Sequence, residues 1–141
     1  MNNNVVIKIC GMQVIEETGD SVEMTIAGKY YFKNNKHYLL YDEVDEENGI
    51  KIKNTIKFND QVAEVTRKGS VNGKMLFEKG ENNQSLYSTP FGDLLIEIFT
   101  KNIEIAEKNS EINLKIDYEL YANNDKVSDS QIAIDVNETL S

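Results

Sequence analysis

The amino-acid sequence predicts an all-β protein, an antiparallel meander closed into a small barrel of about 8–10 strands. Three observations predict it. Apolar and polar residues alternate with period two along most of the chain, as in strands that bury one face. Pairs rich in Asn and Gly separate the alternating runs at hairpin intervals. No linker or low-complexity segment interrupts the sequence, so residues 1–141 read as one domain. A meander of that many strands must curl or split, and closing it into a barrel removes the exposed edges. A sandwich is the second choice.

In the first strand Ile7 and Ile9 share a face, whereas beyond Gly11 the apolar residues are Met12 and Val14, so a bulge or bend is expected at Gly11. Val22, Met24, Ile26, Gly28, Tyr30 and Phe32 line one face of the next strand, opposite Glu23, Thr25, Lys29 and Lys33. Another runs from Ile50 through Ile52 and Ile56 to Phe58. Leu94, Ile96 and Ile98 give way to Ile103 and Ile105, which implies a bend near Lys101-Asn102. Residues 93–107 also fit a helical stripe capped by Asp93, but the Ile-rich alternation favours a long bent strand. The cleanest alternation is Asn113 to Leu120, repeated from Gln131 to Asn137. Turns are expected at Asn34-Asn35, Asn48-Gly49, Asn59-Asp60, Asn72-Gly73, Asn82-Asn83, Asn109-Ser110 and Asn123-Asn124-Asp125.

Composition argues against several function classes. Net charge is −9, with 24 acidic against 15 basic residues, which suits neither nucleic acid nor an anionic membrane. The N-terminal run to Cys10 does not resemble a secretory signal, and no apolar run approaches the roughly 20 residues that span a bilayer. Cys10 is the single cysteine and has no internal disulfide partner, so cytoplasm is the expected location and the Asn83 and Asn137 sequons carry no glycosylation meaning. One His and one Cys make a dedicated zinc site an unlikely expectation. The acidic run Asp42 to Glu47 lacks the glycine and glutamate spacing of a calcium loop and reads as a solvated turn. No cofactor is expected.

The segment Tyr87-Ser88-Thr89-Pro90-Phe91-Gly92 resembles the Tyr-x-Thr-Pro-aromatic-Gly stretch of the YwiB-like family of small bacterial proteins. Gly11-Met12-Gln13, Gly28-Lys29-Tyr30, Tyr38 to Glu43, Arg67-Lys68-Gly69 and Met75 to Glu78 fall in the same order. The resemblance covers nearly the whole chain. It implies a calycin-like β-barrel and no particular activity. This chain has no Trp, so the lipocalin Gly-x-Trp entry is absent, and the turn Thr18-Gly19-Asp20 leaves no room for the helical lid of fatty-acid-binding proteins.

Arg67, the only arginine, shares parity with Ala63 and Val65, which puts a cation on the apolar face. There it either clamps a carboxylate or phosphate or braces the barrel through an ion pair. Tyr30, Tyr38, Tyr41 and Tyr87 suit either a ligand or a packed core. Tyr41 and Glu43 share one face, Tyr38 and Leu40 the other, and parity does not say which is inside. Thr89 beside the Pro90 turn is a candidate for the barrel mouth. His37 reads as a surface histidine at a strand start, and Cys10 as core. The leading expectation is a non-enzymatic barrel that binds a small anionic ligand through Arg67, Tyr41, Glu43, Tyr30, Tyr87 and Thr89, with no catalytic residue and no metal ligand assigned. The alternative is a protein-interaction or homodimerising module with a filled core, marked by surface aromatics such as Tyr31 and Tyr121.

Overall fold

Residues 3–11, 23–44, 49–69, 71–89 and 92–139 are described by the structure, a computed structural model. They form ten strands: β1 (Asn4–Cys10), β2 (Glu23–Lys33), β3 (Lys36–Val44), β4 (Lys51–Phe58), β5 (Val62–Lys68), β6 (Gly73–Glu78), β7 (Asn82–Thr89), β8 (Gly92–Lys108), β9 (Glu111–Ala122) and β10 (Asp125–Glu138). Consecutive strands pair antiparallel, and β1 pairs with β10, so the sheet runs β6-β5-β4-β3-β2-β1-β10-β9-β8-β7. The ring is therefore complete except at β6 and β7. There Asn72 and Ser88 exchange backbone hydrogen bonds of 2.9 and 2.7 Å, which draws the two edges together. The result is a nearly closed barrel with one seam.

Alternation built this shape. Ile112, Leu114, Ile116, Tyr118 and Leu120 of β9 are all buried, as are Ile132, Ile134 and Val136 of β10 and Val5, Ile7 and Ile9 of β1. They join one cluster with the inward residues of the other strands, each such side chain worth roughly 1.5–3 kcal/mol of burial. Phe77 and Tyr118 meet edge to face across the interior, ring centroids 5.0 Å apart. Cys10 departs from expectation: it lies on the parity opposite Ile7 and Ile9 and is only half-buried.

Residues 92–108 form one bent strand rather than a helix. The register with β9 shifts between Thr100 and Asn102, leaving Lys101 as the extra residue. That bulge lets Ile96, Ile98 and Thr100 point inward before it and Ile103 after it. Leu95, which a helical stripe would bury, is exposed.

The turns follow the Asn pairs with two corrections. Asn34, Asn35, Asn123 and Asn124 take positive φ of 53, 59, 50 and 73°, the left-handed pair that two-residue hairpins need. Asn82 and Asn83, however, lie within β7, and the turn before it falls at Lys79-Gly80. Gly73 likewise opens β6, and just before it Asn72 accepts from Gly69 N and donates to Gly69 O. Gly11 ends β1 at φ 82°, and a Cβ there would stand 2.1 Å from the Gln131 carbonyl oxygen. Met12, Val14, Thr18, Gly19, Asp20, Val22, Asp45, Glu46, Glu47, Asn48, Pro90 and Phe91 lie outside the described residues.

Candidate functional site

Strand register assembles the Arg67 site. Tyr41 of β3 stands opposite Asn54 of β4, Asn54 opposite Arg67 of β5, and Arg67 opposite Gly73 of β6. These four positions form one lateral row on the inner wall, near the end of the barrel where β3, β5 and β7 finish. Gly73 contributes no side chain, and that gap is filled from across the seam by Tyr87 of β7. A Cβ on Gly73 would lie 2.3 Å from the Tyr87 ring, so glycine is required for the close approach.

The Arg67 guanidinium spends each nitrogen on a different neighbour. Nε donates to Asn54 Oδ1 at 3.1 Å, one terminal nitrogen to the Tyr87 hydroxyl at 3.0 Å, and the other to Glu43 Oε1 at 3.1 Å. Asn54 Nδ2 donates to the same Glu43 oxygen at 3.0 Å, closing the network. Arg67 and Glu43 side chains are 13% and 28% exposed, so the pair is partly desolvated and the carboxylate still meets solvent. Burial opposes the Arg67 charge, but Tyr87 and Glu43 outweigh it and raise its pKa. Tyr41 is held neutral: burial raises its pKa well beyond the ordinary tyrosine range, Glu43 adds to this, and Arg67 only partly offsets it.

Of the residues expected at a site, Arg67, Glu43, Tyr41 and Tyr87 thus come together. Tyr41 and Glu43 face in, while Tyr38 faces out beneath the Lys33 and Lys57 ammonium groups. Thr89 enters only through its backbone, opposite Gly92, and its side chain lies outside the described structure. Tyr30 belongs elsewhere. It sits at the opposite end of the barrel, where its hydroxyl meets His37 Nδ1 at 2.8 Å.

His37 is not a surface residue. It is 6% exposed, stacked on Phe58 with centroids 4.9 Å apart, and its Nε2 lies 2.8 Å from Glu107 Oε1. Parity explains the burial: His37 continues the inward set Leu39 and Tyr41. Burial lowers the His37 pKa, with Glu107 pulling the other way. An open cleft of about 500 Å³ lies against this group, bordered by Tyr31, Phe32, Lys108 and Ile112 among others.

Asn54 is the residue that sequence reasoning passed over. Its signal was available, because it is a polar side chain on the buried parity between Ile52 and Ile56. A further inward polar set lies on β7 to β9. Asn83 Nδ2 and Thr100 Oγ1 are buried with no hydrogen-bond partner, and the buried Tyr118 hydroxyl lies beside Ser130. Burial pushes the Tyr118 pKa up to about 12, with Ser130 beside it acting the other way.

A ten-stranded antiparallel barrel, closed but for one seam and carrying an Arg–Glu pair on its inner wall, is the class that fold and site define. The chain belongs to the family described as a domain of unknown function (DUF1934), whose model matches residues 7–134. It is 30% identical over 115 residues to the uncharacterized beta-barrel protein YwiB of Bacillus subtilis (strain 168), which covers 80% of each chain. Its fold matches the crystal structure of ywiB protein from Bacillus subtilis with a TM-score of 0.79 at 25% identity, over 98% of this chain and 93% of that one. No helix among the described residues is long and apolar enough to cross a membrane.

Proposed function

We propose that the protein is a non-enzymatic, cytoplasmic binding barrel whose small-molecule ligand presents a carboxylate or phosphate to Arg67. The observation that carries this reading is the polar wall of the interior. Arg67 stands near its mouth, and Asn83 and Thr100 wait deeper with unpaired polar atoms. Each unpaired buried group costs roughly 1–3 kcal/mol, which a ligand's hydrogen bonds would offset. Glu43 supports the reading by example. A carboxylate already sits on the guanidinium, supplied from near the end of β3, and a ligand carboxylate would take the same partners, Arg67 and Asn54.

Competition makes the reading testable. A thermal-shift screen with small carboxylates and phosphates is expected to raise Tm in the wild type by several degrees when the ligand is well above its Kd. Arg67→Leu is expected to abolish the shift. Glu43→Gln, which removes the internal competitor and keeps the shape, is expected to tighten anion binding. A Glu43→Gln protein that is merely less stable, with no anion shifting any variant, would leave the cluster a structural brace.

A second reading, a protein-interaction or self-associating module on a filled core, draws on Leu86 and Leu95. They stand directly opposite each other on the outer face of β7 and β8, 59% and 40% exposed. Light scattering separates the two: Leu86→Lys with Leu95→Lys changes the mass of an assembly and leaves anion binding untouched.

A further inference from the structure

The end of the barrel opposite Arg67 carries a second set of side chains that the anion reading does not use. Glu107 has the inward parity of β8 beyond the Lys101 bulge, and its carboxylate reaches His37 of β3. The Tyr30–His37–Glu107 chain thereby ties the β2–β3 hairpin to the β8–β9 hairpin. A neutral His37 satisfies both contacts in one tautomer only. Nε2–H donates to Glu107, so Nδ1 accepts and Tyr30 must donate to it. The Tyr30 proton is committed inward, and the lone pairs of its oxygen remain for the cleft.

The groups around that cleft of about 500 Å³ are therefore mainly acceptors and rings. The Glu107 carboxylate gives one oxygen to His37 and stays 56% exposed. Phe32, on the parity of Tyr30, presents aromatic surface, and Tyr31, Asn3 and Asn109 border the same space. Lys108 also lies at the border, on a stem long enough to carry its charge into water. Carboxylate, phenol oxygen and aromatic faces are the elements that recognise a cation with an apolar body. The net charge of −9 favours its approach.

We propose that the Tyr30–His37–Glu107 cleft is a second ligand site, for a small protonated amine bearing an aromatic or aliphatic body. The ammonium pairs with Glu107 and donates to the Tyr30 oxygen, and the body lies against Phe32 and Ile112. This site is independent of Arg67 and survives the failure of the anion reading.

The probe is phenethylamine, with 3-phenylpropionate as the anion of similar shape, titrated into the full chain and followed by amide NMR shifts. Saturable shifts confined to residues about Tyr30, His37 and Glu107 are expected with the amine and absent with the carboxylate. Glu107→Gln, which keeps an acceptor for His37, is expected to weaken amine binding roughly tenfold or more. Arg67→Leu is expected to leave it unchanged. Should Glu107→Gln lose its fold, Phe32→Ala tests the ring wall instead and is expected to weaken binding as well. Equal binding of amine and carboxylate, no saturation in the millimolar range, or unaltered affinity in a folded Glu107→Gln would each overturn the proposal.

Discussion

Single atoms decide whether the barrel holds together at the Arg67 row. Gly73 is the narrowest point, because a methyl there would overlap the Tyr87 ring at 2.3 Å. Gly73→Ala is expected to destabilise by roughly 1–3 kcal/mol through overpacking, read from urea denaturation. Tyr87→Phe keeps the ring and removes the hydroxyl that accepts from Arg67, so its cost is expected to be smaller, about 1 kcal/mol. His37 governs a pH dependence instead. The groups facing it are Tyr30 and Glu107, with Lys108 across the cleft. Its folded pKa lies below the unfolded value, so the unfolded chain binds the proton first as pH falls. Stability is therefore expected to drop as pH descends from about 6.5 and to level off once pH is below the folded pKa. A His37→Gln protein should lack that slope, and finding the same slope in both would assign it to other groups.

At the level of strands and turns, the residue types sufficed wherever the partner was the neighbouring strand. Asn34-Asn35 and Asn123-Asn124 form the hairpins expected of them because their side chains tolerate positive φ. Asn35→Ala or Asn124→Ala is expected to cost about 1–2 kcal/mol, while Asn35→Gly should be neutral or stabilising. Urea midpoints at unchanged slope would show this. Asn82-Asn83 carried the same residues yet lies inside β7, since Lys79-Gly80 makes the turn with Gly80 at φ 80°. The two candidate turns are only a few residues apart, and propensity alone does not choose between them. The Lys101 bulge was legible because it shifts the parity of a long Ile-rich run, and parity survives without knowledge of the partner.

For the whole molecule the seam is the weak line. Laddered pairs join every other neighbouring pair of strands, whereas the seam between β6 and β7 is spanned by the Asn72–Ser88 bridge and by the Arg67–Tyr87 bond, which runs from β5 past Gly73 to β7. Native-state hydrogen exchange is expected to show β6 and β7 amides opening first and those of β9, flanked by ladders on both sides, last. In Arg67→Leu the gap between the two sets should widen. Uniform protection around the ring would mean that the seam is as firm as the ladders.

By itself the sequence determined that the chain is all-β, where β8 bends and that Arg67 faces inward with Ala63 and Val65, and it bounded the strand count at about 8–10. Each of these follows from period-two alternation and turn chemistry, which act over a few residues. Tertiary structure alone decided what stands opposite what. It chose Tyr41 and Glu43 over Tyr38 and Leu40 as the inner face, put Asn54 and Tyr87 on Arg67, and sent Tyr30 to His37 and Glu107 at the far end. His37 looked exposed because it adjoins a turn, and it is buried because its parity turns it inward onto Phe58, where Glu107, 70 residues later, meets its Nε2. Ring closure brings together strands distant in the chain, and no local periodicity encodes the register at which they meet.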